Sequence, residues 1–401
     1  MSILFGHPAG SPFAHNAALA HFEARRLERL CVPWMPSART SRILDRIRPF
    51  RSMTQRVNRR YFEPLAAAPK IQGRAGEFRR LLIRALGWGD DRLSGEANDW
   101  LMRTMTRECR RPGVTAVHAY EDCSLWQFVE AKRLGKACIY DMPIGYYPAW
   151  ERTEAELAKK YAGWLPVTKL SQTARREQKC REMGLADLLL APSSFVANTI
   201  RDFHPNKRIA IAPYGVDLID WPSGAAREPR DFITFLFAGQ CSLRKGTPLL
   251  LEAWAAAGLK GARLQLVGPW RLAEAEKKQL SPDCLWIGPV SSRQLRSLYH
   301  KADVFVFPTN FEGRALVVGE ALASGLPVLT TSASGADDMV DESCGRIVAA
   351  DDLDALVESL RWFNNNRECL PGLSRAARSN VERCTWDQYR GRVAQSVAPF
   401  V

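Results

Sequence analysis

Two glutamates eight residues apart, Glu312 and Glu320, lie in the segment of this sequence that most clearly indicates chemistry. The segment reads Phe-Glu-Gly-Arg-Ala-Leu-Val-Val-Gly-Glu-Ala-Leu-Ala-Ser-Gly-Leu-Pro-Val over residues 311–328, so Glu320 falls inside an apolar helical run. Its helical neighbours three and four residues away are Leu, Val, Ala and Ser, and none of them is a cation. A buried carboxylate without a partner is costly. We therefore expect Glu320 to accept hydrogen bonds from ligand hydroxyls, with a salt bridge to another element as the structural alternative.

The helix predicted over residues 315–324 begins shortly after Glu312. Gly313 permits a tight turn before it, and Arg314 follows that glycine. The N–H groups of a first helical turn lack intrahelical partners and, together with the helix dipole, favour an anion such as a diphosphate. These groups belong to Ala315, Leu316 and Val317. Glu312 is then placed to meet the reacting end of the ligand, or it only complements the helix dipole.

A second loop has the composition of a phosphate cradle. Gly239 and Gln240 follow a predicted strand, and Arg244 and Lys245 then lead into a helix predicted over Thr247–Ala257. A glycine at a strand end allows a ligand to approach the backbone, and cations beside a helix N-terminus favour phosphate. The alternative is a surface turn with solvated charges.

Short β-branched runs alternate with helical stretches in two successive series. The strands predicted for the first series cover residues 3–5, 29–32, 114–119, 137–141, 188–191 and 208–211. Those predicted for the second series cover residues 232–238, 263–267, 285–287, 304–307, 328–330 and 346–348. This alternation is typical of open parallel sheets with crossover helices. Turn-forming residues at 221–229 indicate a linker, so we expect two doubly wound domains with ligands bound in the cleft between them.

Length and composition favour an ordinary globular protein of two domains, with 401 residues, 46% of them hydrophobic and 25% charged. No run has the length of a transmembrane helix. Residues 1–5 lack a basic leader and are interpreted as a first strand. Ten cysteines without a Cys-x-x-Cys pair argue against a zinc site and indicate reduced thiols. These features predict a cytoplasmic protein.

The net charge of +13 is concentrated in the first third of the chain, where residues 1–150 hold 24 Lys and Arg against 14 Asp and Glu. Residues 39–60 alone carry eight arginines, with apolar residues interleaved at near-helical spacing. This basic segment is interpreted either as a solvated helical face or as a surface for anionic lipid or a phosphorylated acceptor. It therefore suggests peripheral contact with the inner membrane face, whereas no motif supports binding to nucleic acid.

Four motifs, taken in order, resemble the donor-binding half of glycosyltransferase family 4, the retaining GT-B enzymes. They are Pro-Tyr-Gly-Val-Asp at 213–217, the Gly-Gln…Arg-Lys-Gly loop at 239–246, the strand entry at 298–308, and the glutamate pair with the Ala-Leu-Ala-Ser-Gly-Leu-Pro-Val that follows. The resemblance covers about residues 205–350. It implies an α/β fold of GT-B type, with two doubly wound Rossmann-like domains facing across a cleft. The implied acceptor-binding domain spans residues 1–212 and the donor-binding domain 213–385, with a final helix at about 386–401 packed back on the first domain.

The resemblance also implies a role for each matching residue of the second domain. Lys245 would contact the donor pyrophosphate, Glu312 would lie at the transferred sugar, and Glu320 would bind the nucleotide ribose. The backbone around residues 313–317 would hold phosphate. The family often has an arginine directly after the loop glycine, where this chain has Gln240, and Arg244 is the residue that would replace its charge.

The first domain matches the family more loosely. Gly10 lies in a loop after the first strand, where the family brings a glycine near the donor phosphates. His118 ends a later strand, where the family often places a histidine beside the sugar, although a core histidine is the alternative. Asp122 would orient His118 or the acceptor hydroxyl. Asp141 and Tyr146 would line the acceptor site, although such aromatics more often pack in a core.

The activity implied by the resemblance is retaining transfer of a hexose-type sugar from a UDP- or GDP-linked donor to a hydroxyl of a glycan, lipid-linked or small-molecule acceptor. No further cofactor is implied. A metal is not required, because cations can stabilise the leaving diphosphate and no Asp-x-Asp motif lies in the candidate loops. A GT-B epimerase acting on nucleotide sugars is one alternative. A non-catalytic nucleotide-sugar-binding protein, which Gln240 favours, is another.

Overall fold

Two parallel β-sheets form the framework of the computed structural model, which describes residues 2–46, 57–58, 60–85, 91–165, 173–221 and 231–401. The first sheet has the spatial order β3-β2-β1-β4-β5-β6-β7 and consists of β1 (Ser2–Gly6), β2 (Leu27–Val32), β3 (Lys70–Gln72), β4 (Val114–Tyr120), β5 (Ala137–Asp141), β6 (Leu188–Ala191) and β7 (Ile209–Ile211). The second has the order β10-β9-β8-β11-β12-β13 and consists of β8 (Ile233–Ala238), β9 (Ala262–Val267), β10 (Cys284–Gly288), β11 (Val304–Phe307), β12 (Val328–Thr331) and β13 (Gly345–Val348). The predicted pair of doubly wound α/β sheets is confirmed.

Helices connect the strands of each sheet. Those of the first half are α1 (Pro12–Glu23), α2 (Ala38–Arg46), α3 (Arg74–Ala85), α4 (Asp91–Glu108), α5 (Leu125–Arg133), α6 (Tyr147–Lys160), α7 (Thr173–Leu185) and α8 (Ser194–Arg201). Those of the second half are α9 (Thr247–Ala257), α10 (Glu274–Lys277), α11 (Ser292–Lys301), α12 (Leu316–Ala323), α13 (Leu353–Asn365), α14 (Leu370–Glu382) and α15 (Trp386–Val397). Short 3-10 turns lie at Glu63–Leu65, Ala162–Trp164, Ser332–Ser334, Arg367–Cys369 and Ala398–Phe400.

One strand of the described residues, β3, was not predicted from the sequence. It has three residues, Lys-Ile-Gln, and pairs only with β2 at the edge of the first sheet. Such a short polar segment lacks the alternation and the β-branched run by which strands are recognised. Pairing with β2 is a tertiary contact, and the local sequence does not encode it.

The last helix, α15, belongs to the first core although it follows the second domain in sequence. Its apolar side chains Val393 and Val397 are buried in the hydrophobic cluster of the first sheet. Arg390 donates to Glu23 at 2.8 Å and to Asn16 at 3.0 Å, which holds α15 against α1. The chain therefore crosses between the two sheets twice, once near residue 213 and once near residue 385.

Two segments singled out in the sequence fall mainly outside the described residues. Residues 47–56 and 59 of the basic segment, and residues 222–229 of the predicted linker, are not described. No helix in the described part of the chain is both long and apolar enough to cross a membrane. All ten cysteines carry free thiols.

Candidate active site

The two predicted phosphate loops are joined to each other by hydrogen bonds. The carbonyl oxygen of Arg244 accepts from the Asn310 N–H at 2.8 Å and from the Thr309 hydroxyl at 2.9 Å. Gly246 adopts φ = 68°, and a Cβ atom there would lie 1.8 Å from the carbonyl oxygen of Pro308. Only glycine accepts both the left-handed backbone and this close approach. The loop after β8 is thereby held against the loop after β11.

This joining brings two cations onto one carboxylate. The Lys245 ammonium contacts Glu312, and Arg244 Nη1 lies 3.1 Å from Glu312 Oε1. Arg244 Nη1 also donates to the Phe311 carbonyl oxygen at 3.1 Å. The Lys245 and Glu312 side chains are only 14% and 15% exposed, so the cluster is largely shielded from water. Residues nearly 70 positions apart in the sequence are thus placed together in the site.

Burial dominates the electrostatics of Lys245. It lowers the pKa of the ammonium, and the neighbouring Arg244 charge lowers it further. Glu312 acts in the opposite direction, because an opposite charge in contact favours the ionised form. The Lys245 Nζ atom also lies 5.0 Å from the ring centre of Phe307, within cation–π range. The ammonium is therefore held by a carboxylate and a ring in a position where water stabilises it poorly.

The N-terminus of α12 offers two backbone donors and not three. The Ala315 N–H is bonded to the Ser334 carbonyl oxygen at 3.0 Å, which corrects the expectation that it is free for a ligand. Leu316 and Val317 are the first two residues of the helix, so their N–H groups have no intrahelical acceptor. Ala315, at the N-cap, makes no side-chain capping bond. The anion-binding end of the helix is therefore formed by these two N–H groups.

The Arg314 side chain is engaged behind the loop. Its Nε donates to the Tyr214 carbonyl oxygen at 3.0 Å, and its Nη1 contacts Asp338. The side chain is 1% exposed. A role of Arg314 in holding phosphate would therefore come from its backbone.

Glu320 has a protein partner that sequence inspection missed. The Tyr299 hydroxyl of α11 lies 3.3 Å from Glu320 Oε2 and 3.3 Å from the Val317 carbonyl oxygen. No ion pair to Glu320 occurs among the described residues, so the alternative of a salt bridge to another element is wrong for this part of the chain. Burial raises the pKa of Glu320 to about 7, and the Tyr299 hydrogen bond opposes that shift. Tyr299 lies 21 positions upstream, so no local pattern revealed the pair.

The glycine loop after β8 lies where it was predicted. The Gly239 N–H donates to the Val267 carbonyl oxygen at 2.8 Å, which fixes the strand end. The Gln240 side chain is exposed, whereas the Arg244 side chain is partly buried beside Glu312. Positive charge in this loop is therefore delivered by the Arg244–Lys245 pair and not from position 240.

The first domain touches the second at the loop that carries Glu312. A Cβ on Gly313 would lie 1.8 Å from the Pro143 carbonyl oxygen, and the Ser193 hydroxyl donates to the Gly313 carbonyl oxygen at 2.6 Å. The Phe311 ring packs against Trp150 of α6, with ring centres 5.4 Å apart. The Glu312 loop is therefore closed over by the segment that follows β5. Ser193 and Pro143 were not identified from the sequence, because no local signal marks a contact between domains.

His118 lies in the core and not in the cleft. Its side chain is completely buried and its Nδ1 is 2.8 Å from Nε2 of His21 on α1. Burial lowers the pKa of His118 to about 3, so the ring is neutral. The expectation that it lies beside the sugar is corrected to the core-histidine alternative. It occupies an inward-facing position in the middle of β4, between β1 and β5.

The carboxylates predicted in the first domain have separate surroundings. Asp141 is buried with Oδ2 3.5 Å from His118 Nε2, and burial raises its pKa to about 7 while the Tyr120 hydroxyl opposes the rise. Asp122 has φ = 68° and lies 3.7 Å from the Lys179 ammonium. The histidine is therefore faced by Asp141, so of the two roles expected of Asp122 the orientation of the acceptor hydroxyl stays a prediction.

Tyr146, predicted at the acceptor site, is enclosed by the protein, whereas Gly10, predicted near the donor phosphates, is partly exposed. Tyr146 is 3% exposed, its hydroxyl lies 3.0 Å from His204 Nε2, and its N–H donates to the Thr199 hydroxyl at 2.9 Å. It therefore packs in the first core and does not form an open wall. Gly10 lies against Arg60, since a Cβ at Gly10 would be 2.6 Å from Arg60 Cγ. No group of three or more His, Cys, Asp or Glu side chains in the described ranges is arranged to hold a metal ion.

Comparison with known proteins agrees with this geometry. Residues 233–366 match the family model described as glycosyl transferases group 1. Glycogen synthase of Mycobacterium tuberculosis is 25% identical over 284 residues, which cover 68% of this chain and 64% of that protein. A putative colanic acid biosynthesis glycosyltransferase of Escherichia coli, WcaL, is 28% identical over 213 residues, covering 49% of this chain and 52% of that protein. The chain thus spans less than two thirds of the length of each relative.

Solved structures share the whole fold at low identity. Sucrose-phosphate synthase from Thermosynechococcus elongatus superposes with a TM-score of 0.69 at 17% identity, covering 100% of this chain and 98% of that one. HepE of Anabaena in complex with UDP and glucose superposes with a TM-score of 0.60 at 14% identity, covering 100% of both chains. The family model is matched over β8 to α13, where the cation–carboxylate cluster lies, so this part of the chain is similar to the group 1 glycosyltransferases, and the chain as a whole has the GT-B fold.

Proposed function

We propose that this chain transfers a hexose-type sugar from a nucleoside diphosphate sugar to an acceptor hydroxyl with retention of configuration. The observation that carries the proposal is the convergence of Lys245, Arg244 and Glu312 beside the open N-terminus of α12. Two cations in contact with one carboxylate, followed in the chain by two backbone N–H groups at a helix start, are suited to a diphosphate with a sugar at its end. Relatives named as glycogen synthase and as a GDP-mannose-dependent mannosyltransferase support this class of substrate.

Lys245 and Arg244 stabilise the departing diphosphate. Breaking the sugar–phosphate bond develops negative charge on the leaving group and positive charge on the sugar. Cations that are shielded from water act on such charge more strongly than solvated ones. The N–H groups of Leu316 and Val317 add the helix dipole to the same task. The leaving group therefore needs no metal ion in this proposal, which assays in EDTA and in added Mg²⁺ would test.

Glu312 meets the transferred sugar. Without a donor, its carboxylate neutralises the two cations. An incoming diphosphate competes for both cations, which releases Glu312 to accept hydrogen bonds from sugar hydroxyls. The enzyme would thus exchange one anion for another with little change in local charge.

Glu320 holds the ribose through its hydroxyls. Its only protein donor among the described residues is the Tyr299 hydroxyl, so carboxylate oxygen capacity remains for a ligand. Gly239 carries no side chain at the end of β8, so it would allow the donor phosphates to approach the backbone. Whether the base is uracil or guanine is the question that a thermal-shift screen of nucleotide sugars answers, since a ligand bound by the folded state raises Tm.

The acceptor enters from the first domain. The segment that follows Asp141 contacts the donor half through Pro143, and we place Gly10 and Asp122, which follow the neighbouring strands β1 and β4, on the acceptor side. The acceptor is proposed to be a glycan or lipid-linked saccharide, and peripheral contact with an anionic membrane remains a prediction for the basic segment. Sedimentation with anionic liposomes at low salt tests that contact, and failure to sediment contradicts it.

Product analysis distinguishes the proposal from its alternatives. A retaining transferase turns an α-linked donor into an α-linked product, which the anomeric proton signals report. A β-linked product contradicts the proposed stereochemistry. Release of free nucleotide and sugar without any acceptor identifies an epimerase, and donor binding without turnover on a broad acceptor panel identifies a binding protein.

A further inference from the structure

A cavity of about 330 Å³ lies where the chain crosses between the two domains. Its wall is formed by the first crossing at Tyr214, by the buried face of Arg314, and by the second crossing at Arg383 and Thr385. None of the residues proposed above to contact the sugar or the ribose lines it. Its size is at the lower end of the range, about 300–1,000 Å³, that holds small ligands.

The floor of this cavity contains a guanidinium that is incompletely bonded. Arg314 is buried, and its Nε and Nη1 are engaged with the Tyr214 carbonyl oxygen and with Asp338. Its Nη2 is buried without a nitrogen or oxygen acceptor among the described residues, and the Cys384 thiol in the same wall, a weak acceptor, is the further group that interacts with this guanidinium. The Tyr214 hydroxyl, on a side chain 3% exposed, has no hydrogen-bond partner among the described residues. A buried donor without an acceptor is unfavourable, so a ligand oxygen would stabilise this floor.

The rim of the cavity is positively charged. Arg383 and Arg392 are exposed on it, whereas the one carboxylate in the wall, that of Asp338, is already in contact with Arg314. The N-terminus of α15 also lies here, where Thr385 is its N-cap and the Thr385 hydroxyl accepts from the Gln388 N–H at 3.3 Å. Three arginines and a twelve-residue helix N-terminus around one cavity favour an anion that carries several acceptor oxygens.

We propose that this hinge cavity binds a phosphate dianion, either free or carried on a small molecule, separately from the donor. Such an occupant would connect Arg314 of the second domain to the start of α15, which packs on the first domain. Arg314 directly follows Gly313, so the occupant would also stabilise the loop that carries Glu312. The proposal concerns binding alone and does not depend on the transfer reaction.

The test is calorimetric titration of inorganic phosphate into the full chain carrying Lys245→Gln, which weakens phosphate binding at the donor cradle. In that background, the double change Arg383→Gln and Arg392→Gln removes the rim charges. Arg375→Gln is the matched control, because Arg375 is exposed on α14 and does not line the cavity. We expect saturable binding that the rim variant weakens about tenfold or more, as two partly solvated charge contacts predict, and that Arg375→Gln leaves unchanged.

Two results would overturn the proposal. One is the absence of saturable phosphate binding once Lys245 is replaced, which would assign all binding to the donor cradle. The other is equal affinity of the rim variant and the Arg375→Gln control. Glycerol phosphate titrated in parallel distinguishes the ligand source: tighter binding than inorganic phosphate indicates a phosphate carried on an organic group. Circular dichroism of each variant verifies that the arginine changes leave the fold intact.

Discussion

Gly313 and the carbonyl oxygen of Pro143 meet across the two domains with no room for a side chain, since a Cβ on Gly313 would lie 1.8 Å from that oxygen. Gly313 is the residue next to Glu312, so the contact between the two domains also fixes the position of the Glu312 carboxylate. The Ser193 hydroxyl reinforces it by donating to the Gly313 carbonyl oxygen at 2.6 Å. The closed arrangement therefore depends on a bare backbone at position 313.

Replacing Gly313 with alanine should hold the two domains apart at the site. We expect kcat/KM to fall roughly 100-fold, as misplacement of about 1 Å does in positioned active sites, while donor affinity changes less. Steady-state kinetics with separate donor titration measure this. Gly372→Ala is the control, because an added Cβ there has no neighbour within 4 Å. Equal kinetics for the two variants would show that closure at Pro143 is not required.

The two glutamates should separate kinetically. Glu320→Ala removes the proposed acceptor for ribose hydroxyls and should raise donor KM or Kd about 10- to 100-fold, the range for hydrogen bonds to a charged group. Glu312→Ala removes a contact to the transferred sugar and should chiefly lower kcat. Glu358→Ala, an exposed position on α13, provides a matched loss of a carboxylate. Equal and mild effects at 312 and 320 would mean that the site is misplaced.

An arginine at position 240 should partly replace the positive charge of Arg244. Arg244→Gln removes a cation beside Glu312 and should weaken binding of a nucleoside diphosphate by about tenfold. Adding Gln240→Arg to that variant should restore part of the affinity, because position 240 lies in the same loop with an exposed side chain. Calorimetric titration of a nucleoside diphosphate into the single and double variants measures how far the two positions affect each other's contribution to binding. If the double variant binds no more tightly than Arg244→Gln, position 240 does not lie near the bound phosphate.

Donor binding should weaken as the pH falls through about 7. The pKa of Glu320 is raised to about 7 by burial in the ligand-free protein. A carboxylate accepts from two ribose hydroxyls better than a carboxylic acid does, so protonation below this pH should raise Kd. The Glu320→Gln variant should bind more weakly and lose this part of the pH dependence, since its amide does not titrate. Parallel pH profiles of Kd for both proteins would contradict the assignment.

Asp141 should make the protein less stable at high pH. Its folded-state pKa is raised from 3.8 to about 7 by burial, so the folded state binds more protons than the unfolded state between these values. Its contribution to stability is therefore complete below pH 4 and is lost as the pH rises through 7, at about 1.4 kcal/mol per pH unit for one such group. Asp141→Asn should gain stability relative to the native chain between pH 5 and pH 8. Denaturant unfolding at both pH values measures the difference, and Asp231→Asn, an exposed position, is the control that should show none.

The sequence alone determined the fold class, and it supplied the residues that we propose for the donor half of the site. The pattern of apolar residues and the local composition identified twelve of the thirteen strands in the described residues. Buried parallel strands are recognisable because they are continuous apolar runs bounded by turn formers. Lys245, Glu312 and Glu320 were found for a related reason, since a charged residue beside or inside an apolar run contrasts with its neighbours. The helix over residues 247–257 was predicted with its observed bounds.

Only the tertiary structure decided what each polar group of the first domain faces. His118 and Tyr146 have the residue types of a site, but their strand and loop carry them into the core, where His118 Nδ1 meets His21 and the Tyr146 hydroxyl meets His204. Local sequence cannot distinguish an inward-facing from a cleft-facing histidine when both ends of the strand are apolar. The same holds for Tyr299, which reaches Glu320 from another helix, and for the Ala315 N–H, which Ser334 occupies. Partners that lie tens of residues apart are chosen by packing, and packing is a property of the whole chain.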